Sequence, residues 1–176
     1  MTATAEQLDI APLSTEEAGS QYLTFTVAGE TYGVDILRVQ EIRGWEPVTR
    51  IPNAHDCVRG VLNLRGAIVP VYDLRLMLEL DWVDYSAETV VVIIKVRQRD
   101  SEKHVGVIVD AVSDVINEND IEISSSPSFG EHIKTEFIAS LATARAGAMV
   151  MLLDADRLPI AGANSSDSDE DHQADE

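Results

Sequence analysis

The sequence predicts a mainly β protein made of two small barrels packed together, and three observations carry that prediction. Apolar residues alternate with polar ones over short runs bounded by turn-forming residues, no segment of comparable length shows a clean helical period, and the chain repeats a pattern of its own. A length of 176 residues suits one domain with a sizeable core or two small barrels sharing an interface.

"QYLTFTVA" (21–28) opens the ordered part, with Leu23, Phe25 and Val27 on one face of a strand and Thr24 and Thr26 on the other. "GE" at 29 and 30 then turns the chain into "TYGVDI". "TVVVIIKV" (89–96) is β-branched almost throughout and reads as a strand covered on both sides. Short helices are expected around 37–42, 73–79 and 155–160, and Ser124, Ser125 and Ser126 before Pro127 read as a loop.

The repeat sets "GVDILRVQEI" (33–42) over "GVIVDAVSDV" (106–115) and, further on, "GAIVPVYD" (66–73) over "GAMVMLLD" (147–154). Two separate blocks agree in the same order, which divides the chain into two copies of one β-unit, 21–85 and 86–160, of about five strands each. A unit that small buries little surface by itself, so two packed barrels are the natural outcome, and closure removes exposed strand edges.

The net charge of −18 is concentrated at the ends: residues 1–20 hold 4 acids and 164–176 hold 6, with no base in either, leaving 21 acids and 13 bases between. Residues 1–20 are expected to be a flexible segment resembling neither a signal nor a transit peptide, and 161–176 a disordered acidic tail. A polyanionic backbone is attracted by clustered Lys and Arg, so the acidic balance disfavours nucleic acid and anionic membranes as partners. No apolar run approaches the roughly 20 residues a membrane-spanning helix needs. Lysine is scarce, 3 against 10 arginines, which together with the acid excess points to adaptation to salt. The single cysteine, Cys57, reads as a small packing residue in a cytoplasmic protein.

A catalytic centre does not emerge. His55, His104, His132 and His172 fall in unrelated segments without metal-ligand spacing, and there is no nucleophile elbow, phosphate loop or dinucleotide fingerprint. Asp110 and Asp114 read as a solvated rim. No metal or cofactor is expected, and the enzyme class is disfavoured. In "NLRGAI" (63–68) two apolar runs meet at Arg65-Gly66, a tight hairpin whose glycine takes a positive φ and whose arginine projects from the tip. Arg65 is then either a solvated turn residue or a forked donor for a partner's carboxylates and carbonyls. Pro70 lacks an N–H, so its strand should be an edge or bulged there. Ile36, Val39 and Ile42 could fill the first barrel, yet Val34, Ile36, Leu37, Val39 and Ile42 change parity along the run, so some apolar surface must emerge beside Glu41.

At "YGVDILRVQEIRG", "VTRIPNAHDCVRGVLNLRGAIVPVYDLR" and "GVIVDAVSDV" the chain closely resembles the CheW family of chemotaxis coupling proteins, over about residues 21–160. The resemblance implies two SH3-like five-stranded β-barrels and a non-enzymatic adaptor. It implies a cytoplasmic protein, monomeric in isolation, that joins methyl-accepting chemotaxis receptors to the histidine kinase CheA in large arrays on the inner face of the membrane. A CheW-like scaffold serving a non-motility pathway is the alternative. Carried over by position, kinase contacts fall on Ile36, Val39, Glu41, Ile42 and Arg65, and receptor contacts on a groove between the barrels near Gly60, Leu62, Gly106 and Val115. A second kinase contact that closes rings falls near Phe129. The acidic tail departs from the family, where a C-terminal helix is common.

Overall fold

The computed structural model describes residues 19–125 and 136–160. Short β-branched and alternating runs form strands β1 (Gln21–Val27), β2 (Glu30–Asp35), β3 (Val39–Gly44), β4 (Val58–Leu64) and β5 (Ala67–Asp73). After the one-turn helix α1 (Leu74–Met77) come β6 (Val90–Gln98), β7 (Ser101–Val109), β8 (Ala111–Asn117), β9 (Ile121–Ser125), β10 (Ile138–Ala144) and β11 (Met149–Leu153). Single 3-10 turns occupy Ile36–Arg38, Glu118–Asp120 and Ala155–Arg157. The expected helix at 37–42 is thus a strand beyond its first turn, and Ser124 and Ser125 close β9 instead of forming a loop.

The strands form two curled sheets, one of six strands ordered β8-β1-β2-β11-β10-β9 and one of five ordered β3-β6-β7-β5-β4. The chain does not divide between them at residue 85. Each repeat keeps its last strands and lends its opening hairpin to the other: β1–β2 joins the six-stranded sheet through β11, and β6–β7 joins the five-stranded sheet through β5. The exchange obeys the repeat, since Gly33 pairs with Leu152 and Gly106 with Val71, and these are aligned positions of the two copies. The parallel pairing of β5 with β7 spans only Val71 to Asp73, so Pro70 sits where its strand has no neighbour on that side and its missing N–H costs nothing.

Three apolar layers result. The interior of the five-stranded barrel holds Val69, Val71, Val91, Ile93 and Ile108, and that of the six-stranded barrel holds Ala142, Val150 and Leu152. The largest layer lies between the sheets, where Leu23, Phe25 and Val34 of one meet Val92, Ile94, Val105 and Val107 of the other. Strand β6 feeds two layers, Val91 and Ile93 inward and Val92, Ile94 and Val96 outward, which is why its sequence is apolar without alternation. Each fully buried aliphatic side chain contributes roughly 1.5–3 kcal/mol. The inter-sheet layer therefore does most to hold the halves as one body.

Two ion pairs tie the short helical turns to the strands that cross them. Arg75 of α1 grips Asp110 through two nitrogens, its Nε at 2.9 Å, while the Ala28 N–H donates to the same carboxylate at 2.8 Å. Burial pushes the Asp110 carboxyl up, but the Arg75 hydrogen bond and the Ala28 N–H outweigh it and hold it below the usual carboxylate range. Asp110 is therefore a structural anchor, not the solvated rim the sequence suggested.

Candidate docking surfaces

Arg65 stands at the tip of the β4–β5 hairpin because two consecutive residues take the left-handed conformation, Arg65 at φ 50° and Gly66 at φ 89°. The Asn63 side chain fastens the turn by accepting from the Gly66 N–H at 2.7 Å. The arginine is largely exposed and its Nη2 reaches Glu41 Oε2 at 3.3 Å, so the hairpin tip meets the edge strand β3. Glu41 also lies 3.8 Å from Arg43, which reaches Glu46 in turn, making a line of alternating charge.

The parity change along β3 is resolved by a bulge. Val39 stands opposite Ile94 and Ile42 opposite Val92, on the side that continues the inter-sheet layer, whereas Glu41 stands opposite Ile93, on the barrel side where Arg65 arrives. Ile36 and Val39 are half-buried against the inter-sheet core, and Ile42 remains 44% exposed. Of the five residues assigned to kinase docking, the structure joins Glu41 to Arg65 and leaves Ile42 beside them as open apolar surface; Ile36 and Val39 act mainly as its foundation. Leu37 at 79% and Ile68 at 65% are more exposed than any of these apolar positions. Leu37 belongs to the run whose parity change required exposed apolar surface, whereas sequence reasoning missed Ile68, whose residue type argued for burial and which strand geometry turned outward.

The residues assigned to receptor binding do not share one surface. Gly106 is buried in the five-stranded barrel, where a Cβ would come within 3.0 Å of Val91 and 3.2 Å of Val71. Leu62 packs on the same interior. Gly60, at φ 150°, lets the Thr49 carbonyl cross so closely that a Cβ would overlap it, and Thr49 and Val61 exchange backbone hydrogen bonds there at 2.8 and 3.0 Å to seal the barrel. Val115 lies on β8 of the other sheet, 40% exposed, at the repeat position of Ile42. Phe129 lies outside the described residues.

An aromatic plug closes the five-stranded barrel. Tyr85 packs on Trp45 at a centroid distance of 4.3 Å and edge-on to Trp82 at 6.0 Å, with Arg59 over both Trp82 and Tyr85. Its hydroxyl donates to buried Asp73 at 2.7 Å, and burial followed by that hydrogen bond pushes its pKa up to about 12. Asp73 also caps α1 by accepting from the Arg75 N–H at 2.9 Å. Burial pushes the Cys57 thiol up, away from the reactive thiolate form. Among the described residues no three His, Cys, Asp or Glu side chains converge as metal ligands, and no helix is long and apolar enough to cross a membrane.

Residues 21–160 match the model of the CheW-like domain. The chemotaxis protein CheW of Klebsiella aerogenes is 42% identical over 149 residues, covering 85% of this chain and 87% of its own, and that of Rhizobium meliloti is 33% identical over 138 residues, covering 78% and 86%. Among solved structures, the scaffolding protein TtCheW of Thermoanaerobacter tengcongensis superposes with a TM-score of 0.70 at 28% identity, covering 82% of this chain and 95% of that one.

Proposed function

We propose, from the premise that the chain belongs to the CheW-like family of chemotaxis scaffold proteins and is not an enzyme, that it couples chemoreceptors to the histidine kinase CheA at receptor clusters on the inner face of the membrane. The carrying observation is the β3 edge, where the Glu41–Arg65 pair lies next to the exposed Ile42. Apolar surface rimmed by charge is the composition of a protein-docking patch, since apolar area gives affinity and charges give register. The receptor tip would engage the surface over the inter-sheet layer, with Gly60 and Gly106 acting by setting the shape of the barrel and Val115 by direct contact. The ring-closing contact near Phe129 stays part of the proposal. Holding kinase and receptor on one rigid body raises their effective concentration, and a change in the receptor then biases the kinase between its states.

The test is kinase binding by purified variants. Arg65→Ala and Glu41→Arg are expected to weaken binding to the regulatory domain of CheA by tenfold or more, about 1.4 kcal/mol, with unchanged thermal unfolding. Wild-type affinity in both variants removes the β3 edge from the kinase interface.

A further inference from the structure

Strands β6 and β7 end in a hairpin unlike the rest of this acidic molecule. Within residues 95–104, Lys95, Arg97, Arg99 and Lys103 stand against Asp100 and Glu102, and none of the four cations forms a side-chain ion pair with a described residue. By contrast six of the eight described arginines elsewhere, Arg38, Arg43, Arg65, Arg75, Arg145 and Arg157, do, and of the other two, Arg50 and Arg59, the second lies over the rings of Trp82 and Tyr85. Beside the hairpin lies a groove of about 550 Å³ whose lining includes Ile68, Pro70, Lys103, His104 and Val105. The Nε2 of His104 is buried with no hydrogen-bond partner. Ile160, the last described residue, forms part of the groove wall.

The sequence continues from that wall into residues 161–176, which carry six acids and no Lys or Arg. We propose that this acidic segment docks in cis on the basic β6–β7 hairpin and covers the mouth of the groove. Three considerations favour it over an anionic partner. Its charge complements a cluster that the folded body leaves unpaired. It starts at the site, so the tether holds its acids at an effective concentration in the millimolar range. A free anionic partner must instead approach against the negative field of the body, which covalent attachment bypasses. Individual contacts of this kind are weak and screened by salt, so the segment is a displaceable cover that any acidic partner of the groove must push aside. This inference does not depend on the kinase-docking reading.

The full chain tests it, carrying Cys57→Ser and Ser168→Cys with a nitroxide on the new thiol. Paramagnetic broadening of amides at 95–104 is expected to exceed that along β3 and β10 several-fold at about 0.15 M salt. It should disappear when Arg99→Glu and Lys103→Glu are added, in a spectrum otherwise unchanged. Broadening centred elsewhere, or unaffected by those two changes, overturns the proposal and leaves the groove to a partner protein. Broadening transferred to unlabelled ¹⁵N protein in a mixed sample overturns the cis arrangement in favour of a second copy.

Discussion

The two barrels are built on one plan and finished differently. Each has a glycine at the centre of its second hairpin strand, Gly33 in one and Gly106 in the other, each facing its own barrel interior. Each has an aspartate at or just after the end of its last strand that caps a short helical turn, Asp73 accepting from Arg75 N–H and Asp154 from Asp156 N–H, both at 2.9 Å. Each aspartate's own N–H donates to a carbonyl one strand away, Cys57 or Phe137, at 2.8 Å. The tie between helical turn and crossing strand, however, has reversed polarity. In one half the arginine is on the helical turn and the aspartate after the crossing strand, Arg75 to Asp110; in the other, Asp156 is on the helical turn and Arg38, after β2, reaches it with two nitrogens, 3.1 and 2.7 Å away, while the Arg97 N–H donates at 2.7 Å. Backbone demands are kept in both copies, whereas a partly exposed ion pair is free to exchange its signs. The five-stranded barrel also has the Trp45–Tyr85 plug and the fuller interior.

Stability measurements by chemical denaturation can break this comparison. Gly60→Ala is expected to cost most, more than about 3 kcal/mol, because a strained φ and an overlap with the Thr49 carbonyl coincide at the barrel seal. Gly106→Ala should follow at about 2 kcal/mol and Gly33→Ala at about 1 kcal/mol. The order arises because Gly106 faces two stiff valines, Val91 at 3.0 Å and Val71 at 3.2 Å, whereas Gly33 faces one, Val150 at 3.3 Å, and its nearest neighbour at 3.0 Å is the far end of the longer Leu152 side chain. A larger loss at Gly33 than at Gly106 would contradict the packing difference. Receptor binding lost in Gly106→Ala only in proportion to stability would identify that glycine as a packing position.

Smaller effects are expected at the ion pair. Asp110→Arg or Arg75→Asp alone should cost about 2 kcal/mol, and the two together should regain most of it, since the other half already uses the opposite arrangement. The Asp110 carboxyl is held below its usual range, so its stabilisation is present above the unfolded value near 3.9 and fades as pH falls through that value and the lower folded one. The acid limb of the stability profile should accordingly be shallower in Asp110→Asn. Least of all, Arg65→Ala and Arg145→Ala should change stability by less than about 0.5 kcal/mol each, because both are exposed tip residues, Arg65 meeting Glu41 and Arg145 meeting Asp120 and the Asn119 carbonyl. Kinase affinity, not stability, should separate them.

Much of this is readable in the residues. The alternation in 21–28, the unbroken β-branched run at 89–96 and the Arg65-Gly66 turn follow from local backbone chemistry, and each is where the sequence places it. The repeat is equally real, but its copies were drawn as separate barrels because similarity between segments carries no information about which edge each hairpin joins. The receptor set was carried over by position, and its packing was not legible there: Gly60 and Gly106 allow close approach of backbone and side chains in the five-stranded barrel, and Leu62 packs on its interior.

By itself the sequence determined which stretches extend, where they turn, that two copies of one unit exist and that charge gathers at the ends, since propensity, parity and composition act over a few neighbouring residues. Only the tertiary structure decided that the copies trade hairpins, that Ile68 faces outward and that Asp110 is an anchor. Strand partners and side-chain exposure depend on contacts between residues far apart in the chain, and those exist only once the inter-sheet layer has formed.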